Sequence, residues 1–139
     1  MYNKILVPFD NSGQALSAAQ HAVKLAMVSK ANITLFHVVQ DIANYTEEQI
    51  IALRTKAQDM LEQLKESLSG NDVKIDTAVA LGNPAREILK KAKIESYDVI
   101  IMGSRGLGKI PGLLMGSVSN KVCSGASCPV IVIHVTPKS

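Results

Sequence analysis

Two periodicities take turns along this chain. Short apolar runs stand at 4–7 (KILV), 32–39 (NITLFHVV), 74–80 (KIDTAVA), 97–102 (YDVIIM) and 129–135 (PVIVIHV). Between them, apolar residues recur three and four positions apart, which is the spacing of one helical face. Ala15, Leu16, Ala19, Ala22, Val23, Ala26 and Met27 make such a stripe over 12–29. Ile50, Leu53, Ala57, Met60, Leu61, Leu64 and Leu68 make a second. Thr46 and Gln49 have the spacing of a capping box at its start, and Gly70 stands where a helix C-terminal cap belongs. Asn83 and Pro84 open a third helix, with proline at its first position and Ala85, Ile88, Leu89 and Ala92 facing inward. A short fourth helix is expected over 117–125.

Strand and helix alternate throughout, with no linker, repeat or low-complexity segment between them. This pattern predicts an α/β fold, a single open parallel sheet of five strands with helices on both faces. The fourth and fifth runs are apolar at almost every position, as strands buried on both faces are. Right-handed crossovers leave few topologies, and the order 3-2-1-4-5, Rossmann-like, is expected. In that order the chain reverses direction between strands one and four. Ligands of such sheets bind at the carboxyl ends of the strands beside the reversal. Strand one ends in Pro8-Phe9-Asp10 and strand four in Met102-Gly103, so those residues should border a crevice.

Composition narrows the function classes. The 139 residues suit one domain spanning 1–139, and 47% hydrophobic content supplies its core. Net charge is +3, and no Lys/Arg cluster exceeds two residues, which argues against nucleic acid as a main partner. No apolar run approaches the roughly 20 residues of a membrane span, and MYNKILVPFD turns polar too soon for a signal peptide. Cys123 and Cys128 match neither a CxxC pair nor half of a zinc site. They read as ordinary semi-buried thiols of a reducing cytoplasm, and no metal site is expected in the protein itself. His21, His37 and His134 share no motif, and no GxSxG turn occurs, so no catalytic residue is expected.

Five of the nine glycines fall in MGSRGLGKIPGLLMGS, at 102–117, directly after the fourth strand. The segment from Gly103 to Lys109 begins like a Walker A loop, but Ile110 replaces the metal-binding hydroxyl and Pro111 blocks the helix. The dinucleotide fingerprint GxGxxG fails at the same proline. A third spacing fits in full: Gly103, two residues, Gly106, nine residues, Gly116, then Ser117. Physically, Gly103 lets backbone turn close to a ligand, and Gly106 supplies a positive φ. Gly116 opens the last helix, Ser117 caps it, and its first amides form an anion site. Ser117 and Ser119 add hydroxyl donors.

That spacing, G-x2-G-x9-G-[ST], resembles the nucleotide-binding signature of the universal stress protein family. ILVPFDNSGQALSAAQHAVKLA, LFHVV, GNPAREILKKAKIESYDVIIMGSRG and SCPVIVI resemble that family's remaining segments, so the likeness covers essentially the whole chain. The resemblance implies a cytoplasmic ATP-binding stress-response or regulatory protein that acts through nucleotide-dependent conformation or partner binding. It implies an ATP site of Pro8, Phe9, Asp10, Val38, Met102, Gly103, Arg105, Gly106, Gly116, Ser117, Val118 and Ser119, with Mg²⁺ accompanying the phosphates. Asp10 would hold the ribose hydroxyls, unless it only makes an Asx turn before the helix. Val38 would read the adenine edge with its backbone. Phe9, larger than the residue usual there, either crowds the base or stacks on it. Arg105 and Lys109 screen phosphate charge or are solvated loop cations.

Two other functions compete. A slow ATPase or phosphotransferase would need a positioned metal and water, and no general base is evident. A receiver or flavin-binding domain would need an acidic cluster or a hydroxyl-rich loop after strand one, and PFDNSGQ offers neither. Strand five, from Pro129 to Val135, is apolar and uncharged, and it falls at the sheet edge, where strands tend to pair. A homodimer through strand five is expected, as the resemblance also implies.

Overall fold

The structure, a computed structural model, describes residues 2–40, 44–105 and 115–134. In chain order these form β1 (Lys4–Pro8), α1 (Gly13–Ser29), β2 (Asn32–Gln40), α2 (Glu47–Leu68), β3 (Ile75–Gly82), α3 (Pro84–Ile94), β4 (Val99–Gly103), α4 (Ser117–Gly125) and β5 (Val130–Ile133). The strands run parallel in the expected order, β3-β2-β1-β4-β5.

Strand alternation builds two apolar layers. Ile5, Val7, Ile33, Leu35, Val99 and Ile101 pack with α1 and α2 on one face. Leu6, Phe36, Val38, Ile100 and Met102 pack with α3 and α4 on the other. Successive side chains of one strand point to opposite faces, so each layer takes every second residue. The face of α1 that meets the sheet is Ala15, Ala18, Ala19, Ala22, Val23 and Ala26. These small side chains let the helix lie close to the strands. Leu16 and Met27, expected in that stripe, are 39% and 49% exposed and lie at its margin.

The caps follow the sequence. Ser12 accepts from the Ala15 amide, Thr46 and Gln49 bond reciprocally, and Asn83 accepts from the Arg86 amide ahead of Pro84. Gly70 follows the C-cap Ser69 of α2 with φ +99°. Several strand limits differ from expectation. β3 continues to Gly82 because it stays paired with β2 as far as Gln40. β4 begins at Val99, because the Tyr97 amide still donates to the Ala92 carbonyl of α3 at 2.9 Å. Ser96 turns the chain there with φ +56°. β5 begins at Val130 and ends at Ile133; Val135 lies outside the described residues.

Asp98 fastens the amino-terminal end of the sheet. Its Oδ2 accepts from the Asn3 and Lys4 amides at 2.7 and 2.8 Å. Those two amides hold the carboxyl below its usual value, against an opposing contribution from burial. A carboxylate lowered in the folded state stabilises above its unfolded pKa, and that stability is lost as pH falls through the folded one. Asp98→Ala is expected to cost about 1 kcal/mol near neutral pH. In urea melts the deficit should shrink towards acid pH, while a pH-independent deficit would contradict the role.

Candidate functional site

β1 and β4 are neighbours, but their following helices, α1 and α4, cover opposite faces. The chain ends of the two strands therefore separate, and a cleft of about 1480 Å³ opens at the carboxyl ends of β1, β2 and β4. This is above the usual range for a small-molecule pocket, about 300–1,000 Å³. Pro8, Phe9 and Asp10 line it where the chain leaves β1, and Val38 lines it from β2. Met102, Gly103 and Arg105 contribute the end of β4, and Gly116, Ser117, Val118 and Ser119 the start of α4. Gly106 and Lys109 lie outside the described residues. The far wall comes from α2, with Leu53, Lys56 and Met60. Helical spacing assigns Leu53 and Met60 to the apolar stripe of α2. They are half-buried, and nothing in helical spacing separates a core edge from a cleft wall.

At the β1 end, the Asp10 carboxylate accepts from the Ser12 amide at 3.0 Å, so the Asx turn is present. Asn11 between them takes φ +67°, a conformation asparagine tolerates. The turn fixes the carboxylate at the mouth of the cleft. The Phe9 ring is 5% exposed and belongs largely to the layer under α1 and α2.

At the β4 end, the structure gives Gly103 a different reason. A Cβ there would stand 2.8 Å from the Gln14 Cβ, 2.9 Å from the Gln14 carbonyl carbon and 3.1 Å from the Ala15 nitrogen. Close packing of the first turn of α1 demands the glycine. Gln14, 5% exposed, then reaches over the strand end. Its Oε1 accepts from the Ser104 hydroxyl at 2.5 Å and from the Arg105 amide at 2.7 Å. Sequence reasoning passed over Gln14, since an interior glutamine in a helical stripe carries no motif.

Ser104 closes the loop. Its amide donates to the Ile133 carbonyl at 2.9 Å, and its carbonyl accepts from the Gly116 amide at 2.7 Å. The Ser119 hydroxyl donates to the same carbonyl at 2.5 Å. The single hydroxyl proton of Ser119 is thus committed to the loop, where a donor into the cleft was expected. The cap of α4 also differs from expectation. Gly116 is the N-cap, extended at φ −76°, and Ser117 is the first helical residue. The Gly116 carbonyl accepts from the Asn120 amide at 3.0 Å, which sets the helix start one residue earlier. Among the described residues no side chain caps this end, and its first turn carries no acidic residue. The opening amides of α4 are left to whatever enters the cleft, and they favour an anion.

The remaining singled-out residues fall elsewhere. Asn83, directly after β3, serves as the cap of α3. The His21 Nδ1 pairs with the Ser17 carbonyl on the surface of α1, and His134 is exposed just beyond β5. His37, by contrast, lines the cleft, and its Nδ1 lies 2.7 Å from the Phe9 carbonyl. Both cysteines are free: Cys123 is exposed, contrary to the semi-buried expectation, and Cys128 is half-buried, with burial pushing its thiol up. Among the described residues, no group of three His, Cys, Asp or Glu side chains could hold a metal ion.

Comparison with known proteins identifies the family. The sequence profile of the universal stress protein family matches residues 1–134. The chain belongs to that family. It is 33% identical to the universal stress protein YxiE of Bacillus subtilis, over 96% of this chain and all of that one. The solved structure of MJ0577, a universal stress protein of Methanocaldococcus jannaschii, superposes with a TM-score of 0.90 at 30% identity, covering 99% of both chains. A universal stress protein from Archaeoglobus fulgidus, solved in complex with dAMP, shares the fold at 21% identity and a TM-score of 0.74, over 95% of this chain and 98% of that one.

Proposed function

We propose that this universal stress protein binds ATP in the cleft and works as a regulatory protein. Its output is then a nucleotide-dependent conformation or partner contact. One observation carries the reading: an uncapped helix N-terminus and a fixed carboxylate converge on one cleft at the sheet's reversal point. In this reading the opening amides of α4, from Ser117 to Ser119, hold the phosphates, with Gly116 and Arg105 beside them. Asp10 accepts from the ribose hydroxyls. Pro8, Phe9, Val38 and Met102 enclose the base, and Gly103 and Gly106 shape the loop. Mg²⁺ arriving with the nucleotide would neutralise part of the phosphate charge, and among the described residues no cluster of three His, Cys, Asp or Glu would hold it. The dAMP complex of the Archaeoglobus protein supports a nucleotide as the ligand class of this fold.

The whole chain acts as one domain in this proposal, in the cytoplasm. Among the described residues, no helix is long and apolar enough to cross a membrane. Two copies pair through β5, which ends the sheet beside β4.

Purified protein, denatured, should release a nucleotide identifiable by mass. Calorimetric titration should rank ATP above ADP above AMP, since each added phosphate gains contacts with the α4 amides. Undetectable binding of all three would overturn the assignment.

A further inference from the structure

The backbone of β2 alternates its hydrogen-bonding direction, as any strand does. The Ile33 amide bonds the Lys74 carbonyl beside β3, while the Phe36 carbonyl accepts from the Phe9 amide at 2.8 Å. Even-numbered residues of β2 therefore direct both backbone groups towards β1. Val38 is the next of these. In a continued parallel ladder its amide would donate to the Phe9 carbonyl. No backbone bond joins those two described residues. The Phe9 carbonyl is instead engaged by His37 Nδ1 at 2.7 Å. A carbonyl only accepts, so Nδ1 carries the hydrogen.

We propose that His37 is a positioning residue for the base. By holding the Phe9 carbonyl it ends the β1–β2 ladder one bond early. The Val38 amide and carbonyl then stay open towards the cleft, as a donor beside an acceptor. That pair matches a purine whose Watson–Crick edge offers an acceptor beside a donor, which is adenine. A 6-oxopurine, with N1–H and O6, presents the reverse pattern and is rejected. This inference rests on the nucleotide reading above, in which Val38 already meets adenine, and adds His37 as the residue that keeps the Val38 backbone open to it.

The test is titration of wild type, His37→Val and His37→Asn with ATP and with inosine triphosphate, alongside thermal melts of each unliganded protein. Wild type should prefer ATP by about tenfold or more, because mismatched polar groups are left unpaired. In His37→Val, the Val38 amide recloses on the Phe9 carbonyl. ATP should weaken about tenfold with little change for inosine triphosphate, so the preference collapses. In His37→Asn a side-chain N–H replaces Nδ1, and the preference should survive. The wild-type amide resonance of Val38 gives a readout independent of any variant's folding: it should shift on ATP and not on inosine triphosphate. Equal losses for both nucleotides in His37→Val, or a Val38 resonance indifferent to ATP, would overturn the role of His37. Wild type that binds neither nucleotide would instead overturn the ATP reading itself, and this inference with it.

Discussion

Gly103→Ala should lower folding stability by about 2–3 kcal/mol, the cost of overpacking a well-filled contact. The added methyl meets Gln14 and Ala15, and two of its three nearest atoms belong to the backbone of α1. A side chain could swing aside, but here relief requires the helix or the strand end to shift. Either movement displaces Gln14 from Ser104 and Arg105, so nucleotide affinity should fall with stability. Gly13→Ala is the internal control. It adds the same methyl directly before Gln14, where among the described residues nothing lies within 4 Å. Urea denaturation should separate the two variants clearly. A Gly103→Ala protein within about 0.5 kcal/mol of wild type, the range of ordinary surface changes, would refute the packing account.

Val132→Pro should convert the proposed dimer to monomer. In β5 the Pro129 and Ile133 carbonyls accept from the Ile100 and Ser104 amides, so odd-numbered residues face β4. Val130 and Val132 consequently turn their amides and carbonyls outward from the sheet. Proline at 132 removes one outward amide and adds a ring at the edge while leaving the inward ladder intact, and edges are where strands accept proline. Light scattering at tens of micromolar should show a dimer for wild type and a monomer for the variant, with similar thermal melts. A variant that remains dimeric would place the interface elsewhere, and a monomeric wild type would remove the dimer from the proposal.

Much of the architecture could be read before the structure. The capping signals at Thr46 and Asn83 and the alternation of strands and helices each have a local cause written in side chains. Right-handed crossovers left few strand orders, and the one expected is the one found. What escaped has a common physical source. Leu16 and Met27 were misplaced because a periodic stripe fixes a helix face only to within a residue on either side. Gly103 was noticed for the right reason, absence of a side chain, but the intruding neighbour was α1. Ser119 was counted as a donor, yet a hydroxyl has one proton, and which acceptor takes it depends on a carbonyl 15 positions away. The role proposed for Val38 runs through backbone direction, which leaves no trace in residue type.

The Gly116 amide and the Ser104 carbonyl are joined by a backbone hydrogen bond of 2.7 Å, to which the Ser119 hydroxyl adds a second donor. To the sheet, whatever lies between is a ring already closed. Lengthening a closed ring is inexpensive, about 0.6 kcal/mol for each doubling. The fold therefore has little power to dictate how many residues the ring contains. Under the proposed ATP reading, the interval of nine between Gly106 and Gly116 answers to the guest and not to the house.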